Sequence, residues 1–234
     1  MKIGWLVAIS LVACGPAAPE EPSFQATFRE AYAAWPIAGW DVRVATDARA
    51  TAEGARALAL LSDELAAIEA AVPEPALGHL RSIPLWVSAM DTPCPAACYH
   101  VSSEWLRQNG YEPAKTGGVE ISNVRRFLEW SADQPWMVLH ELAHGYHQQV
   151  LGFGDEEVLR AFRAVTASGT LDRVAYTGGT TRRHYALTDE REFFAEMSES
   201  CLGRNDFFPF GRDELHAALP EVEALMVDKW GLGR

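Results

Sequence analysis

Pro135-Trp136-Met137-Val138-Leu139-His140-Glu141-Leu142-Ala143-His144-Gly145-Tyr146-His147-Gln148-Gln149-Val150-Leu151 is the stretch on which the reading of this chain turns. Its apolar residues recur at helical spacing, Pro135 suits a first turn and Gly152 suits the exit, so one helix is predicted over 135–151. His140 and His144 are four residues apart, which on a helix of about 3.6 residues per turn leaves them only about 40° apart in direction. Both imidazoles then project from one face and can bind one metal ion. Glu141 is turned by about 100° from His140, beside such an ion and not on it, where a base for a metal-activated water belongs. This is the HExxH pattern of zinc hydrolases. His147 follows on nearly the same face, but a ligand so close on a rigid helix would have to reach around His144. It is expected to pack or to support a ligand.

Catalytic zinc takes three protein ligands and keeps one position open, so a third ligand is sought elsewhere. Glu192-Phe193-Phe194-Ala195-Glu196 supplies candidates. Glu192, Glu196 and Glu199 share one helical stripe, while Phe193, Phe194 and Met197 draw the segment into the core. A buried carboxylate requires a cation or a hydrogen-bond donor. Spacing alone leaves Glu192 and Glu196 equal. Thr188 or Asp189 is expected to cap this helix, and Gly203 to close it.

The remaining elements follow from period and punctuation. Thr51 to Val72 carries Leu58, Leu61, Leu65 and Ile68 at helical spacing and stops at Pro73 and Pro75. Further helices are expected over 155–168, closed by Gly169, and from Pro220. Strands are expected over 40–45, 83–90 and 119–122. Strands early and helices late give an α+β fold, with a small N-terminal sheet lobe against a helical C-terminal lobe over 24–234.

Composition narrows the partners. Of 234 residues 48% are hydrophobic, enough for a substantial core, and the net charge is −12. Such an acidic surface repels phosphate backbones, so nucleic acid is not an expected partner. Met1 and Lys2 precede an apolar run over 3–13 that is too short to span a bilayer and reads as a secretory signal. Residues 15–23, rich in Pro, Ala and Glu, read as part of a tether spanning 14–23. Cys94 and Cys98 flank Pro95-Ala96-Ala97 and have no second pair elsewhere. A disulfide is therefore favoured over a zinc ribbon, with two free thiols as the alternative. Cys201 reads as a buried small hydrophobe.

Two resemblances add expectations. Leu11-Val12-Ala13-Cys14 resembles the lipobox of bacterial lipoproteins. It implies a signal peptide over 1–13, lipid on Cys14 and a membrane-anchored protein of the bacterial cell envelope; Gly15 in place of aspartate favours the outer membrane. The alternative is an ordinary signal peptide with an incidental Cys14. HExxH followed about 50 residues later by a helical glutamate, with Tyr185 seven residues before it, resembles the gluzincin branch of the zincin metallopeptidases. Within that branch Glu192-Phe193-Phe194-Ala195-Glu196 with Tyr185 is similar to anthrax-lethal-factor-like catalytic domains, and Tyr99-His100, Trp105-Leu106, Arg183-His184-Tyr185-Ala186-Leu187 and Asn205-Asp206-Phe207-Phe208-Pro209-Phe210 resemble a group of small secreted bacterial metallopeptidase-like proteins. The resemblance implies zinc held by His140, His144 and Glu192, Glu141 as base, Tyr185 as the phenol that stabilises the oxyanion, and a peptide or protein substrate. Glu196 is then left to hydrogen-bond a ligand histidine. In zincins an edge strand binds extended substrate. Val119 to Asn123 stands in that place in the order, with an ordinary internal strand as the alternative. An intact HExxH favours an enzyme over a non-catalytic zinc-containing envelope protein that binds peptide or cell-wall material. Oligomeric state is not readable.

Overall fold

The computed structural model describes residues 31–89, 94 and 96–233. The signal segment, Cys14 and the tether lie outside them. The chain folds as α+β around a five-stranded sheet formed by β1 (Tyr32–Ala34), β2 (Val42–Ala45), β3 (Leu85–Val87), β4 (Ala97–Tyr99) and β5 (Val119–Ile121). Its order is β1-β2-β3-β5-β4. β2, β3 and β5 run parallel, whereas β1 and β4 pair antiparallel at the two sides. Val42, Val44, Leu85, Val87, Val119 and Ile121 share one face of the parallel strands and are buried there, while on the other face Trp86 and Glu120 are buried and Arg43 is partly exposed.

The first crossover carries α1 (Thr46–Arg49), α2 (Ala52–Ala71) and α3 (Ala76–Arg81). The hydroxyl of Thr51 accepts from the Gly54 amide at 3.0 Å and starts α2. Leu61, Leu65 and Ile68 on that helix are fully buried. Short α4 (Ser103–Gln108) and α5 (Val124–Trp130) follow, each with a side-chain cap, from Ser102 and Asn123 respectively.

α6 (Met137–Tyr146) packs on β4, β5 and α2. It is shorter than the sequence implies: a π-helical turn over His147–Leu151 carries the chain to Gly152, whose φ of 80° closes it. Then come α7 (Glu156–Ser168), the β6 (Val174–Tyr176) and β7 (Thr180–Arg182) hairpin, α8 (Glu190–Leu202), α9 (Arg212–Ala218) and α10 (Pro220–Lys229). Asp155 caps α7, and Gly169 closes it in the left-handed region. α8 is the centre of the helical half, touching α6, α7, α9 and α10. From Phe193 to Cys201 it is buried on every side. No helix among the described residues is long and apolar enough to cross a membrane.

Two details hold α6 in place. Gly203, just past α8, lies so close to Trp136 that a Cβ there would stand 2.1–2.5 Å from three atoms of the indole. Glu64 of α2 accepts from the Val138 amide at 3.3 Å, in the first turn of α6. Burial pushes the Glu64 carboxyl up to about 8 from 4.5. We therefore expect Gly203→Ala to cost about 1–3 kcal/mol by overpacking a rigid ring, measured by urea unfolding; an unchanged midpoint would contradict the close contact. Between pH 4.5 and 8 the native chain keeps a proton on Glu64 that the unfolded chain releases, so stability declines as pH rises through that window. Glu64→Gln should show a smaller decline between the two ends of the window than the unsubstituted protein, and an equal decline would remove Glu64 as its source.

Candidate metal and active site

His140 and His144 project from α6 toward the first turn of α8. Asp189 caps that helix, its Oδ1 accepting from the amides of Arg191 and Glu192 at 2.9 and 3.0 Å. The cap fixes Glu192 opposite the two histidines. The Nε2 atoms of His140 and His144 are 3.2 Å apart, and Glu192 Oε2 lies 3.1 Å from the first and 3.4 Å from the second. Ligand atoms 2.0–2.2 Å from one tetrahedral zinc stand roughly 3.3–3.6 Å apart. The observed triangle is close to that spacing, and its donor set, two imidazoles and one carboxylate, is one that zinc uses in hydrolytic sites. These three residues fit a metal.

The ring behind the triangle is oriented from the far side. His140 Nδ1 is 2.7 Å from Glu199 Oε1. A proton on Nδ1, donated to Glu199, leaves the Nε2 lone pair free for the metal. Glu196, expected to hydrogen-bond a ligand histidine, stands farther from that ring than Glu199 does. Its Oε1 is 3.5 Å from His140 Nδ1, and its Oε2 instead accepts from Asn205 Nδ2 at 3.0 Å. Glu199 is seven residues after Glu192 and two turns along, so it reaches the back of the ring while Glu192 reaches the front. Sequence reading placed Glu199 on the stripe but gave it no task; its distance from Glu192 was the usable signal.

The electrostatics follow from this packing. Burial opposes a charge on His140, but hydrogen bonds to Glu192 and Glu199 outweigh it and raise its pKa well above the usual value. Burial works the other way on Glu192, and the two imidazoles overcome it, holding the carboxyl below its ordinary range. Glu196 is raised well above that range by burial and by the charge of Glu199. Burial pushes Glu199 up to about 7 against the pull of His140.

His147 takes no part in the triangle. It is wholly buried, with ring centroids 5.1 Å from Phe153 and 4.8 Å from Phe194. Neither ring nitrogen has a hydrogen-bond partner, and burial lowers its pKa to about 4. It is a packed neutral ring.

The triangle opens on a cleft of about 620 Å³. Glu141 lines it, its Oε2 accepting from the Tyr99 amide of β4 at 2.8 Å. Tyr185, on a 3₁₀ turn over Tyr185–Leu187 just before α8, also lines it, about half exposed, with its ring centroid 6.4 Å from that of His140. The far wall is built by the β6–β7 hairpin and the loop after α8. Thr177 donates its amide to Asp206 O at 2.9 Å, and His184 stacks on Phe207.

β5 is an internal strand between β3 and β4, so the edge reading for Val119 to Asn123 does not hold; the sheet edge beside the cleft is β4. Cys98 faces Glu120 of β5 in register. By strand alternation, Ala97 and Tyr99 turn their backbone groups outward toward the cleft. Comparison of the chain with protein-family models, curated proteins and solved structures finds no match.

Zinc affinity should rank the three carboxylates. Glu192→Gln should weaken binding most. Glu199→Gln should cost about 10–100-fold, the range for residues that orient a ligand, and Glu196→Gln less. Competition with a chromophoric chelator measures all three. A larger loss for Glu196→Gln than for Glu199→Gln would reverse the assignment.

Proposed function

We propose that this chain is a zinc metallopeptidase of zincin type that hydrolyses peptide bonds. The observation that carries the reading is the triangle of His140, His144 and Glu192 donor atoms with Glu141 beside it in an open cleft. His140, His144 and Glu192 would hold the ion. Zinc, when bound, lowers the pKa of a water and polarises a carbonyl.

The chain's own groups supply the remaining work. Glu141 accepts the proton of the attacking water and returns it to the leaving amine. Its hydrogen bond from the Tyr99 amide holds the carboxylate at the cleft. The Tyr185 hydroxyl donates to the developing oxyanion; burial, and then the charge of Glu192, keep the phenol protonated by raising its pKa. Ala97 and the Tyr99 carbonyl offer an extended peptide a strand to pair with. The reading of residues 1–14 places the enzyme in the bacterial cell envelope, anchored by lipid on Cys14.

Digestion of a peptide library by the zinc-loaded protein, read by mass spectrometry, tests the activity and gives the cleaved bond. Glu141→Gln should retain zinc and lose turnover. Tyr185→Phe should retain zinc and lose about 10²–10³ in rate, as for removal of one oxyanion donor elsewhere. Zinc binding without cleavage by the unsubstituted protein would favour a non-catalytic envelope protein that binds peptide or wall material.

A further inference from the structure

A second group of ligand-type side chains lies on the other register of β4. Cys94, Cys98, His100 and Glu120 place one donor atom each within 4.8 Å of one another. Cys94, His100 and Glu120 are buried, with exposures of 6%, 4% and 2%. Cys94 and Cys98 are joined as a disulfide. We propose that this cluster is a redox-gated metal site: with the disulfide reduced, Cys94, Cys98, His100 and Glu120 bind one divalent cation of zinc type.

The distances are near those such an ion needs. Cys98 Sγ is 3.8 Å from His100 Nε2, and Cys94 Sγ is 4.0 Å from Glu120 Oε2. In a tetrahedral zinc site a thiolate and a nitrogen or oxygen ligand stand roughly 3.5 Å apart, and two thiolates roughly 3.8 Å. Opening the sulfur–sulfur bond supplies the one large change. His100 Nε2 and Glu120 Oε2, now 2.5 Å apart, separate by about 1 Å to admit the ion.

Charge and partition of donors agree with this. Glu120 divides its oxygens: Oε1 pairs with the buried Lys115 ammonium, and Oε2 faces His100 and the cysteines. Two thiolates and one carboxylate carry three negative charges. A divalent cation together with Lys115 balances them, as a buried site requires. In the oxidised chain the sulfurs are not thiolates and cannot serve as ligands, so the redox state decides whether the site exists. A trialkylphosphine reduces the bridge. Two electrons from phosphorus enter the disulfide, one water gives its oxygen to phosphorus and its two protons to the sulfurs, and phosphine oxide leaves. Metal binding then releases those two protons.

The site is independent of the proposed peptidase centre, and cobalt(II) distinguishes them because the His140, His144 and Glu192 cluster contains no sulfur. The full chain is titrated with cobalt(II) chloride before and after phosphine treatment. The reduced protein should take up one more equivalent than the oxidised protein and gain a near-ultraviolet thiolate-to-cobalt charge-transfer band. The band should persist when Cys14 and Cys201 are both replaced by Ser. It should persist in His144→Ala, and His100→Ala should weaken the extra equivalent by more than about tenfold. No band in the reduced protein, or its loss with Cys14 and Cys201, overturns the proposal. So does an unchanged affinity in His100→Ala. Failure of the oxidised protein to bind any cobalt counts against the peptidase centre alone.

Discussion

One imidazole joins the two halves of the site. His140 is held at Nδ1 by Glu199 and presents Nε2 to Glu192, so a single ring on α6 is gripped front and back by two residues of α8. The grip works only if the two helices keep one register. α8 is therefore buried all round, stacked through Phe194 against Trp230, whose indole donates to Ser198 at 2.9 Å. The tight contact of Gly203 with Trp136 seats the start of α6 against the end of α8. Three of the helix's four glutamates, Glu192, Glu196 and Glu199, point toward the interior, which would ordinarily destabilise it. Here each has a specific partner: Glu192 faces the histidines, Glu196 takes Asn205, and Glu199 takes His140.

The partnering also explains why protons crowd the interior of this site. Glu196 and Glu199 are both buried, with carboxylate oxygens 3.5 and 2.7 Å from His140 Nδ1. Neither can shed its proton at the ordinary carboxylate pH without adding charge to a dry interior. A cation bound at His140 Nε2 would strengthen the Nδ1 proton's bond to Glu199. The outer carboxylates and the front triangle thus meet at one ring, and Asn205, on the loop after α8, donates to the Glu196 oxygen that faces away from that ring.

What the sequence disclosed is what local period and caps control. The stripe of α2, the helix starts near Thr51 and Asp155, the cap at Thr188 or Asp189 and the face shared by His140 and His144 all follow from residues within one or two turns of each other. The α+β class followed from the order of elements. The choice between Glu196 and Glu199 did not, because it depends on how α6 crosses α8, and no residue within either helix encodes that alone. β4 was hidden for a similar reason. Its residues Ala97-Cys98-Tyr99 show no polar alternation, and its place at the sheet edge is set by pairing with β5, about twenty residues away. The β6–β7 hairpin was missed because β7 is exposed throughout, so its side chains carry no burial pattern. Asn123, read as the end of a strand, is instead the cap of α5.

Strand alternation in β4 carries a consequence for how the two candidate centres relate. Tyr99 turns its amide to Glu141 and the cleft, while Cys98 turns its backbone to β5 and His100 meets Glu120 on the neighbouring strand. Successive residues of one short strand therefore serve the base of one site and the ligands of the other. A strand of three residues has little stiffness of its own. Its position comes from the β5 pairing, from the Cys94–Cys98 bridge at its start and from the Tyr99 hydroxyl, which donates to Gln148 at 2.6 Å. Those ties fix the Tyr99 amide, and the amide fixes Glu141.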